Sequence, residues 1–442
     1  MYKYCFIGAG VSNLLAIHYL IKNNVACDEI ILFEKGKPLN DRKCPSINTR
    51  CIHCEIECPV ISGFGGSSAF YGNKFSYFPS SQKILNYTDR QSTNEALNYL
   101  QSSLGYLYDK HFNQFNTSEK GDRKVFFSDT IYQDNYQKII HYLVNEITGK
   151  ITVVNRKVDK IKFNNGSFEI YSMGNEYNSK KLIIGTGRSS GDFILEFLKL
   201  NQVGYKNNDP DIGFRVEADS RNFSKHYYYQ NDPKYKVSSS FGNARSFCAV
   251  NKGYIVPVKY KNFYYAEGVF YNEPSQKNNI ALMSRINNGP GMDLIAKWAH
   301  ELNIFFKNKL SAGEIVITNN VLDLKDQMLN FIPYWPNVRY KELMSKLLDN
   351  MIVKNNIFTI NKKTNNIINI YAPSIDNYWI SPEVLKNLET KIEGLFFIGD
   401  IIGVSRGIIQ AMFSGLIWSI NEVNGVYGKI PEKNNHLWHY SG

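Results

Sequence analysis

Apolar and polar positions change period along this chain, and the first change marks a unit. Tyr2 to Ile7 reads as a short buried strand, and Gly8-Ala9-Gly10 breaks it as a turn. From Val11 to Lys22 the apolar residues return at helical spacing, which predicts a helix. A second strand is predicted from Glu29 to Phe33, with Glu34 at its end. Strand, glycine turn, helix and strand in this order make a βαβ half-unit.

Related patterns recur far along the chain. Residues 151–172 hold strand-like stretches separated by the turn signal Asn164-Asn165-Gly166. Lys181 to Ile184 reads as another buried strand, ending in Gly185, Thr186 and Gly187. Gly394 to Asp400 repeats that character, and after Gly403 and Gly407 a helix is predicted from Ile408 to Ile420. The middle lacks these signals. It shows aromatic strand-like runs such as Tyr264 to Tyr271 and a helix pattern from Met292 to Phe306, with no internal repeat. The expected fold class is α/β: a discontinuous Rossmann-like domain from residues 1–199 and 391–425, an inserted mixed β/α substrate domain over 200–390, and a tail at 426–442.

The first unit carries candidate chemistry. Glycine permits the tight turn at Gly8 and Gly10, and free N–H groups at the helix start, around Ser12, can receive a pyrophosphate. Glu34 is then placed to hydrogen-bond an adenosine ribose. Asn13 stands where the common fingerprint has a third glycine, whose usual role is close helix–strand packing. A plain strand–turn–helix without a ligand is the alternative.

Other positions converge on the same kind of ligand. Gly63, Gly65 and Gly66 allow close backbone approach to it, with Ser67 and Ser68 able to add hydrogen bonds; a purely structural loop is the alternative. Thr186 and Gly187 end one strand, and Gly399 and Asp400 end another. Asp400 can accept from a cofactor hydroxyl or cap the segment that follows it. Gly407 and Ile408 open a helix whose partial positive charge suits an anionic ring edge or a phosphate.

Together these features resemble the glutathione-reductase-like class of FAD proteins, and more narrowly a bacterial family of FAD-dependent dehydrogenases. The resemblance rests on Gly8-Ala9-Gly10 with Glu34, on Cys44-Pro45 followed by Cys51, Cys54, Cys58 and Ser62 to Phe70, on Asp211 to Glu217, and on Gly399-Asp400 with Ser405 to Ala411. It implies that the Rossmann-like domain binds FAD and that the chemistry is redox. Two departures stand out: Asn13, and Arg245 to Asn251, where relatives tend to carry a further Cys and Pro. If that segment supports catalysis in relatives, this chain has a changed reaction or none.

Three further groups keep alternatives open. Cys44, Cys51, Cys54 and Cys58 can be buried structural thiols, ligands of zinc or an iron–sulfur centre with His53 in addition, or a redox pair at Cys51 and Cys54. Arg406 can bind an acidic substrate or stabilise charge on a reduced cofactor, or belong to an ion pair. Arg215, beside Glu217, poses the same choice. Cys248 next to Phe247 reads as a packed apolar residue, with a catalytic thiol as the alternative. Tyr254 and Tyr264 are candidates to line a flat pocket.

Composition adds little but bounds the partners. Of 442 residues, 43% are hydrophobic, enough for substantial cores. The formal charge of +11 could attract nucleic acid, anionic lipid or an acidic small molecule, but the basic residues are scattered. The chain runs directly into its first strand, with no basic leader and no apolar stretch of the roughly 18 residues of a membrane helix. A cytoplasmic protein is expected.

The resulting expectation is an FAD-dependent oxidoreductase moving a hydride to or from a small organic metabolite, unsaturated or cyclic. NAD(P)H is a candidate transient electron partner, without a second glycine-rich unit of its own. The rivals are an FAD-dependent RNA-modifying or RNA-binding protein, and a flavin redox sensor or structural partner built on the Cys44–Cys58 region.

Overall fold

The computed structural model describes residues 1–44, 58–71, 73–78, 80–105, 117–120, 123–187, 190–224, 231–260, 262–306, 311–376 and 380–425. Cys51, His53, Cys54 and the tail at 426–442 lie outside the described residues.

The fold is mixed α/β, with one mainly parallel sheet and extra antiparallel sheets. The strand Tyr2–Ile7 pairs in parallel with both Ile30–Phe33 and Asn175–Ile184. Thr152–Val154 extends the sheet beyond Ile30–Phe33, and Leu395–Phe397 joins Asn175–Ile184 in parallel. The hairpin Lys160–Asn164 and Ser167–Ser172 adds an antiparallel edge, turning through Asn165 and Gly166, both at positive φ.

Strands buried on both faces read as unbroken apolar runs, as Ile30–Phe33 does. The helix Val11–Lys22 covers one face of this sheet and packs against the last helix, Ile408–Asn424. That last helix is longer than the apolar pattern suggests. It runs on through buried Asn421 to Asn424 and stops at Gly425 in the left-handed conformation, a usual C-terminal cap.

A second, nine-stranded antiparallel sheet runs in the order Ser311–Val316, Ile367–Asp376, Asp211–Asp219, Lys277–Ile286, Gly242–Val250, Asn231–Ser239, Arg123–Ile131 and Asn73–Ser76, with Thr117–Lys120 beside Arg123–Ile131. It therefore draws strands from residues 73–131 as well as from the middle of the chain. The helices Met292–Phe305, Val321–Asn330 and Val338–Leu348 bury their apolar stripes in its own core, separate from the core of the parallel sheet. The hairpin Tyr254–Tyr260 and Phe263–Val269 lies beside it. No helix among the described residues is long and apolar enough to cross a membrane.

Candidate functional site

Four of the parallel strands end on one cavity. It is lined by Ile7 and Gly8, by Phe33 and Glu34, by Gly185 and Thr186, and by Asp400 just past Leu395–Phe397. Open α/β sheets characteristically take ligands at the carboxyl ends of their strands. The opposite wall comes from the nine-stranded sheet and the 254–269 hairpin. The cavity measures about 1920 Å³, beyond the roughly 300–1,000 Å³ of a pocket for one small molecule.

The glycine turn is built for close approach. Gly8 has φ +93°, and a Cβ there would lie 2.9 Å from the carbonyl oxygen of Gly185. Gly10 caps the helix Val11–Lys22, which has no side-chain cap and no acidic residue in its first turn. The second loop seats directly on this turn: the Gly65 N–H donates to the Ala9 carbonyl at 2.8 Å, and Gly63 and Gly65 have φ of +121° and +85°.

Glu34 fastens the two loops together. One carboxylate oxygen accepts from the Ala9 N–H at 2.7 Å, and the other from the N–H groups of Gly36 at 2.8 Å and Gly63 at 3.1 Å. A carboxylate offers about four acceptor sites, so these three bonds leave one acceptor position on a residue that lines the cavity.

Arg42, unremarkable in the sequence between Asp41 and Lys43, holds the second loop from behind. It is buried and donates to the carbonyls of Pro59, Val60, Phe64 and Gly66 at 2.7–3.2 Å. Burial pulls its pKa down to about 10, against the favourable charge of Glu34, so it stays cationic at neutral pH. Of the two serines, Ser68 bonds to the Tyr136 hydroxyl at 2.7 Å and to the Gly65 carbonyl, while Ser67 is exposed on the cavity wall.

The far end of the chain contributes Asp400, Arg406, Gly407 and Ile408 to the lining. Gly399 sits behind them. Its N–H donates to the Ser414 hydroxyl at 2.7 Å, its carbonyl accepts from the Ser405 hydroxyl at 2.5 Å, and a Cβ there would press on Ser12. The helix Ile408–Asn424, like the first helix, has no side-chain cap and no acid in its first turn, and Gly407 before it has φ +120°. Three other described helices are capped by Asp89, Asn320 and Asn337, and three without a side-chain cap carry Asp134, Asp192 or Asp293 in the first turn.

Gly8, Gly10, Ser12, Glu34, Gly63, Gly65, Gly66, Ser67, Thr186, Gly187, Asp400, Gly407 and Ile408 thus meet on one surface although they come from four distant stretches. Cys44 and Cys58 are half-buried, and no group of three or more His, Cys, Asp or Glu suited to a metal occurs among the described residues.

Several side chains take places the linear pattern did not indicate. Cys248 is not packed into a core: it lines the cavity, at φ +46° beside a β-bulge between Phe247 and Val250 that re-aims this part of the strand. Arg215 and Glu217 do not pair. Arg215 is 1% exposed and donates to the Cys248 carbonyl at 3.1 Å and to Asn279 at 2.6 Å, whereas Glu217 takes Lys277 and Tyr371. Tyr254 and Tyr264 are off the cavity, and Tyr260 and Tyr265 line it instead; Tyr264 and Tyr265 part because alternate residues of the strand Phe263–Val269 face opposite sides.

Arg406 is in an ion-pair network. Its guanidinium contacts Asp376, which also accepts from Arg245 at 3.2 Å. Arg245 reaches Asp211 as well, at 2.5 Å, and Arg285 binds Asp211 through two bonds of 2.8 and 2.9 Å. Asp211 and Asp376 are buried and lie directly opposite each other on adjacent strands.

Comparison with known proteins adds a sequence match near the C-terminus. A family model described as Glucose inhibited division protein A matches residues 338–429, a minor part of the chain that includes the Gly399–Ala411 segment of the FAD-protein resemblance. No curated protein matches the chain. Among solved structures, the chain is similar to a Photorhabdus luminescens protein described as an FAD containing monooxygenase, at 12% identity over 98% of this chain and 90% of that one, with a TM-score of 0.41. It is also similar to 2,6-dihydroxypyridine-3-hydroxylase from Arthrobacter nicotinovorans, at 9% identity over 96% and 82% of the two chains, with a TM-score of 0.37.

Proposed function

We propose that this chain binds FAD in the large cavity and acts as an FAD-dependent oxidoreductase on a small organic molecule. One observation carries the reading: two helix N-termini without side-chain caps or first-turn acids open onto a single cavity at the carboxyl ends of four parallel strands. Free N–H groups and the helix dipole at such an end favour an anionic ligand, and a dinucleotide brings anionic groups well separated along its length.

In this assignment the amides from Gly10 to Ser12 take the pyrophosphate. Glu34 uses its remaining acceptor position on a ribose hydroxyl, and the backbone of Gly63, Gly65 and Gly66, with Ser67, closes over the same stretch. Asp400 accepts from a further cofactor hydroxyl, with Thr186 and Gly187 on the facing wall. The amides of Gly407 and Ile408 meet the ring, and Arg406 beside them offers positive charge where negative charge would develop. Residues 1–199 and 391–425 form the cofactor-holding part, apart from the strands within 73–131 that join the second sheet, and with those strands residues 200–390 form the part that meets substrate.

FAD supplies, when bound, a two-electron partner for hydride exchange with the substrate. The protein's task is to position both and to exclude water from between them. NAD(P)H fits as a transient electron donor or acceptor rather than as a resident group. Cys248 on the cavity wall is a second candidate to touch the reacting molecule.

The test is to purify the protein anaerobically, record its absorption spectrum and weigh its bound cofactor. One FAD per chain, with a visible band that bleaches on adding dithionite, is the expected result. Folded protein that takes up no FAD on reconstitution would overturn the reading.

A further inference from the structure

The wall opposite the parallel sheet is basic, and its basic residues are arranged rather than scattered. Lys236 and Arg245 sit directly opposite each other on adjacent strands, and Arg285 pairs two positions along, opposite Asn243; all three side chains line the cavity. Like charges facing one another across a sheet are destabilising, so their neighbours must offset that cost. They bind two buried carboxylates, Asp211 off the cavity and Asp376 at its wall, themselves a like-charge pair across strands.

These bonds hold the guanidiniums by one edge only. Arg245 binds both aspartates through Nη2, which leaves Nε and Nη1 without a hydrogen bond to the described residues. Arg285 binds Asp211 through Nε and Nη2, which leaves Nη1. Arg245 also lies 4.9 Å from the centre of the Phe247 ring, which fixes its plane. A planar guanidinium held along one edge is suited to a planar oxyanion at its remaining donors.

We propose that Arg245 and Arg285, with Lys236 beside them, form a carboxylate subsite, so that the substrate is a small organic acid. The proposal rests on the oxidoreductase reading for the word substrate, but the subsite itself stands on the arginines. Arg406 ties it to the cofactor end of the cavity, since it contacts Asp376 and directly precedes Gly407 at the start of the last helix. An acid held here would present its carbon framework to the region where the ring is assigned, and a neutral analogue would lose that anchor.

The experiment is calorimetric titration of the full-length protein, with and without added FAD, using cyclohexene-1-carboxylate, benzoate, and the corresponding amides. The acids should bind about tenfold to a hundredfold more tightly than the amides, the range set by hydrogen bonds to a charged group. Arg245→Met and Arg285→Met should each erase most of that preference. Because they uncover buried aspartates and can unfold the chain, Lys236→Met is the companion variant. Its exposed side chain makes no contact with either aspartate, and it should weaken the acids severalfold while leaving the amides unchanged.

Equal binding of acids and amides, or unchanged acid binding in folded Arg245→Met and Lys236→Met, would overturn the proposal. So would a 12-nucleotide oligouridylate that binds more tightly than the acids and depends on the same arginines, since that outcome assigns the wall to nucleic acid. Acid preference in protein that never takes up FAD would support the subsite and sink only the oxidoreductase reading.

Discussion

Asn13 and Gly185 share one close contact between the first helix and the strand Asn175–Ile184. The Asn13 amide donates to the carbonyls of Ile7 at 3.0 Å and Gly8 at 2.6 Å, and a Cβ at Gly185 would stand 2.5 Å from the Asn13 side-chain oxygen. A third glycine on the helix would normally leave room at this level. Here the helix carries the bulk and the neighbouring strand end gives way.

The exchange predicts a non-additive pair. Gly185→Ala should destabilise by about 1–3 kcal/mol through overpacking. Asn13→Gly should cost about 2 kcal/mol, from a glycine inside a helix and from two lost hydrogen bonds. The double variant should fall short of the sum by about 1 kcal/mol or more, because the clash has lost its partner. Urea denaturation of the four proteins measures this directly, and strict additivity would show that the two residues do not share the space.

Glu34 joins the glycine turn to the second loop, so replacing it by glutamine tests the joint without removing bulk. Glu34→Gln sets an NH2 group against at least one of the N–H groups of Ala9, Gly36 and Gly63. A stability loss of about 1.5–3 kcal/mol is expected, the usual worth of a hydrogen bond to a charged group. FAD retention should fall by at least about tenfold with it, read as flavin per chain after gel filtration. Full retention would remove Glu34 from the proposed ribose contact.

Arg42 makes a sharper demand on the same loop. Arg42→Met leaves the carbonyls of Pro59, Val60, Phe64 and Gly66 without their buried donor. The expected cost is about 2–3 kcal/mol, and FAD should dissociate during purification. Arg42→Lys retains the charge but cannot reach four carbonyls, so it should lie between the two. If Arg42→Met keeps FAD as tightly as the parent, the loop does not depend on this residue.

What the sequence disclosed was local, and what it concealed was assembled across long distances. The glycine turn, the strand that ends at Glu34, and the helices beginning at Val11 and Ile408 are each encoded within a few adjacent residues, where apolar period and glycine placement leave little choice. Arg42 is hidden because an arginine between Asp41 and Lys43 looks like a solvated charge until four carbonyls fold around it. The Asp211–Asp376 pair is hidden more deeply: only the pairing of two strands far apart in the chain makes those acids neighbours. Arg406 was conspicuous by its motif, yet its partner Asp376 was not. Cys248 looked like a core residue because the bulge that turns it toward the cavity has no signature in the residues themselves.

His18 gives the fold a pH dependence separate from the cofactor. It lies in the first helix at 1% exposure, with Nδ1 2.9 Å from the Tyr99 hydroxyl. Burial, aided by nearby Lys22, lowers its pKa from 6.5 to about 4. The unfolded chain therefore takes up this proton first as pH falls. Its contribution to stability is intact above about pH 6.5, declines as pH drops toward 4, and is fully lost below that. The shift corresponds to about 3 kcal/mol at the acid end. His18→Gln removes the titrating group, so the stability difference between parent and variant should tilt against the parent between pH 6.5 and 4 and stay level above pH 7. Thermal denaturation across that range in matched ionic strength checks it, and parallel curves for the two proteins would mean that His18 is protonated as readily in the folded state as in the unfolded one.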